Sequence, residues 1–186
     1  MENQTILNGV NVTQLVETVK AIQGNPSLAQ FKFRTTTEWE GGPRTVTKAQ
    51  DFFGAGTEDK SRVEPLTIIS DEPPMLLGQN TGANAMELVM AAFASCLSVG
   101  IIFNAAVRGI KVDNLEFKME GDIDLLGFLG LSETVRPGFQ GIKATCLIKS
   151  DAPREDVKEL FEYCRKTSAM LDILTNPVPV SLELED

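Results

Sequence analysis

The chain has 186 residues, a formal net charge of −9, 42% hydrophobic residues and 23% charged residues. This is the balance of one globular domain long enough to bury a core. The acidic surplus argues against nucleic acid and anionic membrane as partners. With three cysteines, no CxxC spacing and no histidine, neither a disulfide framework nor a structural zinc site is expected. No metal or other cofactor is called for. The odd cysteine count fits a reducing compartment, and the polar, acidic opening Met1-Glu-Asn-Gln-Thr5 is not a secretory signal. A cytoplasmic location is expected.

In chain order, Asn11 to Gln23 predicts a short amphipathic helix with Val12, Leu15, Val16, Val19 and Ile22 on one side, closed by Asn25-Pro26. Residues 1–30 thus read as a helical extension ahead of a main domain over 31–186. Phe31 to Trp39 alternates as a strand, Gly41-Gly-Pro43 turns the chain, and Arg44 to Phe53 returns as its hairpin partner. Gly54 to Lys60 reads as loop, and Val63 to Ser70 as a third strand stopped by Asp71-Glu-Pro-Pro74.

Asn84 to Arg108 predicts one long helix, about 36 Å at 1.5 Å per residue. Asn84 is placed to cap it with Glu87 as the capping-box partner, and Gly109 is placed to end it. The uncharged run Leu88 to Val107 has the length of a membrane span. Ser95, Ser98 and Asn104 interrupt that run, no basic cluster flanks it, and alternating strands lie on both sides. It therefore reads as a core helix, apolar all round. Further strands are predicted around Leu115–Met119 and Ile142–Ile148, separated by an apolar loop over Leu125–Phe139. A second helix is predicted over Pro153–Leu174, and a last strand over Val178–Leu184. The absence of βα alternation gives an α+β class with antiparallel pairing.

Cys96 lies in the middle of the long helix. In a chain without histidine its thiol cannot be activated by a Cys–His pair, so a reactive Cys96 needs an arginine or lysine to favour the thiolate. The alternative is a small apolar core residue, the common fate of a buried cysteine. Cys146 alternates with Ile142 and Ile148 and reads as inert core. Cys164 lies on the apolar stripe of the second helix.

The hairpin with Gly41-Gly-Pro-Arg44, the helix Thr81-Gly-Ala-Asn-Ala-Met-Glu-Leu-Val-Met-Ala-Ala-Phe-Ala-Ser-Cys96 and the C-terminal Ser168-Ala-Met-Leu-Asp-Ile-Leu-Thr-Asn-Pro-Val-Pro-Val180 together resemble the OsmC/Ohr family of osmotically inducible and organic-hydroperoxide-resistance proteins. The likeness runs over about residues 31 to 184. It implies antiparallel strands around a long buried central helix, in an intertwined homodimer with active sites at the subunit interface. It also implies a thiol peroxidase chemistry, in which a cysteine attacks a peroxide oxygen and a second cysteine resolves the sulfenic acid. Cys96 matches the peroxide-reactive cysteine, and Arg44 best matches the assisting arginine, with Arg34 as its rival. Glu87 matches the assisting glutamate, one residue out of register, because Met86 fills the family position and Ala85 the usual proline. The second cysteine belongs where Ser168 stands, and Cys164, one helical turn earlier, is the remaining candidate for resolution.

The expected function is therefore Cys96-dependent reduction of small hydrophobic hydroperoxides, one-cysteine in type, with a thiol or dithiol as reductant. The alternative is a non-enzymatic small-molecule-binding dimer that keeps the fold and a vestigial thiol. Cysteine-dependent acyl transfer lacks a visible general base.

Overall fold

The computed structural model describes residues 5–185; the sequence reading of the first four residues falls outside them. The chain divides into two compact units, Met1–Val12 with Met90–Asp186, and Thr13–Val89. The class is the expected one: every strand pairing is antiparallel, and a long helix carries the middle of the chain.

The first unit opens on a hairpin, β1 (Ile6–Leu7) and β2 (Val10–Asn11). Its two-residue turn Asn8-Gly9 has φ of 54° and 77°, the left-handed pair that Asn-Gly accepts most readily. The Asn8 side chain then ties this hairpin to the rest of the unit, donating to the Ile110 carbonyl at 2.9 Å and accepting from the Val112 amide at 3.0 Å.

The frame of this unit is a long ribbon of β8 (Val112–Ile123) on β9 (Phe139–Ser150), with most of α2 (Ala85–Val107) and α4 (Arg154–Lys166) supplying the helices. Ile101, Ala105, Ile110, Leu160 and Cys164 form its buried cluster, and Leu115, Phe117, Cys146 and Ile148 of the ribbon pack against it. Phe93, Leu97, Ile101 and Ala105, spaced four apart on α2, are buried. Val99, Phe103 and Val107 on its other side are exposed, so within this chain α2 is covered on one face. By length and composition it could cross a membrane; its buried face packs into the cluster of Ile101 and Ala105. The helix stops by backbone geometry. Gly109 has φ 73°, and the amides of Gly109 and Ile110 donate back to Ala106 and Ala105 at 3.2 and 2.9 Å, which satisfies the last carbonyls in a Schellman arrangement.

Three sequence expectations in this unit need correction. The helix predicted over Pro153–Leu174 is two helices, α4 and α5 (Ala169–Thr175). Ser168 breaks it by capping α5: its backbone is extended and its Oγ accepts from the Leu171 amide at 3.2 Å. A serine at such a position competes with the helix for backbone donors. The predicted strand over Val178–Leu184 forms no ladder among the described residues, and Val178, Val180, Leu182 and Leu184 are exposed. Alternation alone makes no strand without a neighbouring edge to pair with. The predicted loop after Leu125 opens with one helical turn, α3 (Leu125–Phe128), capped by Asp124.

The second unit contains α1 (Val12–Gly24) from Thr13 onward and a three-stranded sheet in the order β3 (Thr36–Gly41), β4 (Arg44–Ala49), β7 (Leu66–Ser70). The stretch read as loop after Gly54 is instead half of a hairpin, β5 (Phe52–Gly54) with β6 (Thr57–Asp59). Its turn residues Ala55 and Gly56 have φ of 50° and 83°. An alanine there hides the turn from sequence reading. The alternating residues Phe31 and Phe33 precede β3 rather than belonging to it; Phe31 stacks on Phe52 and Phe33 meets it tilted, with ring centroids 6.4 and 5.6 Å away.

Candidate active site

Cys96 is three turns into α2, in the part of the helix that belongs to the first unit. It is half-buried, and its Sγ lies 3.5 Å from Ser168 Oγ. The two residues that the resemblance pairs as first and second cysteine are thus in contact, although one of them is a serine. Cys164 is buried and faces Gly100, where a β-carbon would sit 3.9 Å from Cys164 Cβ. Gly100 is one turn beyond Cys96, and Cys164 one turn before Ser168. The two helices therefore meet level by level, with Cys96 against Ser168 and Gly100 against Cys164.

The other two thiols are held protonated near neutral pH. Burial pushes the Cys146 thiol up to about 11. Burial also raises Cys164, with the Arg108 guanidinium opposing it. A cavity of about 420 Å³ lies between β9 and α4, lined by Cys146, Ile148, Val157 and Phe161 with Arg154 and Lys158 at its polar side. Its lining does not include Cys96.

Arg44 and Glu87 belong to the second unit. Arg44 opens β4, one residue past the Gly41–Pro43 turn, and its Nε donates to Glu40 Oε2 at 2.9 Å. Its Nη1 donates to Thr81 Oγ1, which in turn donates to Asp71 Oδ2 at 2.8 Å. Asp71 is buried and also accepts the amides of Glu72, Gln79 and Thr81. The Thr81 amide and hydroxyl do most to lower its pKa to about 2, and the Glu72 and Gln79 amides add to this. Arg44 is therefore oriented through a fixed anion that sequence reading missed. In the sequence Asp71 reads only as the end of a strand, because its partners lie up to ten residues away across a loop closed by the fold.

Glu87 does what its spacing predicts. Its Oε2 accepts from the Asn84 amide and its own amide donates to Asn84 Oδ1, both at 2.9 Å. This is a reciprocal capping box, and it occupies the Glu87 carboxylate at the helix start. The rival cation Arg34 is committed elsewhere, in a two-pronged pair with Glu58 at 2.9 Å for each prong. No group of three or more histidine, cysteine, aspartate or glutamate side chains placed to hold a metal ion occurs among the described residues.

A half-buried thiol on a long helix, touching a buried hydroxyl and accompanied by two protonated thiols, is suited to one-site sulfur chemistry. The family model for OsmC-like protein matches residues 78–183, which include α2 with Cys96 as well as Cys164 and Ser168. Among solved structures, the fold resembles an OsmC-like protein from Mycoplasma pneumoniae (TM-score 0.59, 14% identity, 78% of this chain and 89% of that one). It also resembles an OsmC-like protein from Vibrio cholerae (0.56, 8%, 76% and 92%). A third likeness is to an organic hydroperoxide resistance protein OsmC from Legionella pneumophila (0.51, 16%, 76% and 88%). No curated protein matches in sequence. With the family match covering more than half of its length, and with the fold of its solved relatives, the chain belongs to the OsmC-like protein family.

Proposed function

We propose that this protein is a one-cysteine peroxidase acting on small hydrophobic organic hydroperoxides through Cys96. The observation that carries the reading is the Cys96–Ser168 contact of 3.5 Å at the family's two-cysteine position, in a chain whose other thiols burial keeps protonated. The Cys96 thiolate attacks the terminal peroxide oxygen, the O–O bond breaks, and the departing alkoxide takes a proton to become the alcohol. The sulfur is oxidised by two electrons to sulfenic acid. A dithiol then returns those electrons: its first sulfur displaces water from the sulfenic acid to give a mixed disulfide, and its second releases Cys96 and leaves as the cyclic disulfide. Arg44 supplies the positive charge that favours the thiolate, and Glu87 keeps its capping role. The Legionella relative is described as an organic hydroperoxide resistance protein, which fits this substrate class. The working form is a homodimer in the cytoplasm.

Ser168 favours a second reading, since a serine cannot resolve a sulfenic acid. That reading is an OsmC-like dimer that binds small molecules without turning them over. One assay separates the two. With a dithiol supplied, wild type should consume cumene hydroperoxide over many turnovers and Cys96→Ser should not. A wild type no faster than Cys96→Ser leaves the binding reading standing.

A further inference from the structure

Ser168 does more than mark the place of a missing cysteine. Its Oγ accepts the Leu171 amide at 3.2 Å as the cap of α5, so the side chain is held in one orientation. The residue is buried, and Cys96 Sγ at 3.5 Å is its other polar neighbour, in a contact where either atom could donate. The cap explains the lone pair but leaves the proton unassigned. If the thiol donated to the serine instead, a buried O–H would have no acceptor, which costs the full desolvation of that group. A hydroxyl whose oxygen already accepts a hydrogen bond is polarised toward donating. A donor aimed at sulfur is bound more tightly by the charged thiolate than by the neutral thiol.

We infer that Ser168 is a catalytic residue whose hydroxyl donates to the Cys96 sulfur and favours its thiolate, an inference that rests on the reading of Cys96 as the reactive thiol. The serine exchanges one capability for another. It cannot close a disulfide, so resolution passes to an external thiol, but it gives the sulfur a fixed hydrogen-bond donor. With α5 and Leu171 setting the oxygen and α2 setting the sulfur, the pair is preorganised by two helices rather than by a loop.

The test is the pH dependence of iodoacetamide alkylation at Cys96, read by peptide mass mapping in wild type, Ser168→Ala, Ser168→Gly and Ser168→Thr. Ala and Gly should move the midpoint of the profile up by about one unit and slow alkylation at pH 7 roughly tenfold. Thr, which keeps both hydroxyl and cap, should stay with wild type. Glycine retains most of the capping function, so it is the variant to read where alanine lowers the melting temperature. A folded Gly variant with the wild-type profile overturns the inference, as does a Thr variant that follows Ala. No peroxide enters this measurement. A protein that fails to turn over cumene hydroperoxide yet shows the shift would sink the peroxidase reading and keep the serine's role.

Discussion

Arg44 heads a chain of three residues that runs through Thr81 to Asp71, and its two ends can be tested alone. If its guanidinium favours the Cys96 thiolate, Arg44→Ala should slow alkylation of Cys96 near neutral pH, about tenfold for each unit by which the profile moves. An unmoved profile would remove Arg44 from the mechanism, and the Arg34–Glu58 pair would then be the next to break. Asp71 lies at the far end of the chain. Its folded value is about 2 against an unfolded value of about 3.9, so its carboxylate stabilises the fold fully above roughly pH 5. That contribution falls as the pH drops through about 4 and is gone below about 2. Melting curves of wild type and Asp71→Asn should therefore lie furthest apart at pH 6 and converge toward pH 2. A constant gap would show that Asp71 acts by shape rather than charge. Cys96 and Arg44 were legible because each sits in a motif with fixed neighbours. Asp71 was not, since a carboxylate is recognised as buried only once its four donors are assembled around it.

At the scale of elements, legibility followed whether the signal was local. α2 was read within a residue at each end, because its capping box and its terminal glycine are encoded within four positions of the boundary. The same box gives a measurable quantity: Asn84→Ala should lower stability to denaturant by about 1 kcal/mol, while Glu87→Gln, which keeps an acceptor at the third helical position, should cost less. A loss for Glu87→Gln as large as that for Asn84→Ala would mean that the charge of Glu87 at the helix start contributes beyond its hydrogen bond. The failures were also local in cause. The β1–β2 hairpin is two residues per strand, too short for alternation to register, though Asn8-Gly9 is a strong turn signal in itself. The α4–α5 break was hidden because Cys164, Ser168 and Leu171 continue the helical spacing. The periodicity survives a break when the second helix resumes on the same face.

At the scale of the molecule, large apolar side chains stand exposed on several elements of the single chain. Phe103 and Val107 on the outer face of α2 are 43% and 50% exposed, Trp39 on β3 is 74% exposed, and Leu182 and Leu184 at the C-terminal end exceed 90%. The unpaired Val178–Leu184 segment, whose alternation calls for a sheet, has no ladder among the described residues. Buried faces and paired strands are what a second copy would provide, and the resemblance to the OsmC/Ohr family implies an intertwined dimer. Sedimentation at micromolar concentration should therefore show a species of twice the 20.3 kDa chain mass. In an intertwined dimer, folding and association are one equilibrium, so dilution should lower the melting temperature as well as the sedimentation coefficient. Phe103→Asp sets a carboxylate into the outer face of α2. Its position lies away from the buried cluster of Ile101, Ala105 and Leu160, so a monomer's own core would accept it. An obligate dimer would not: the expected result is a concentration-dependent loss of melting temperature or a shift to the 20.3 kDa species. A wild type that sediments as a single chain with a concentration-independent melt would show that these exposed faces belong to a monomer, and would remove the subunit interface from any account of the active site.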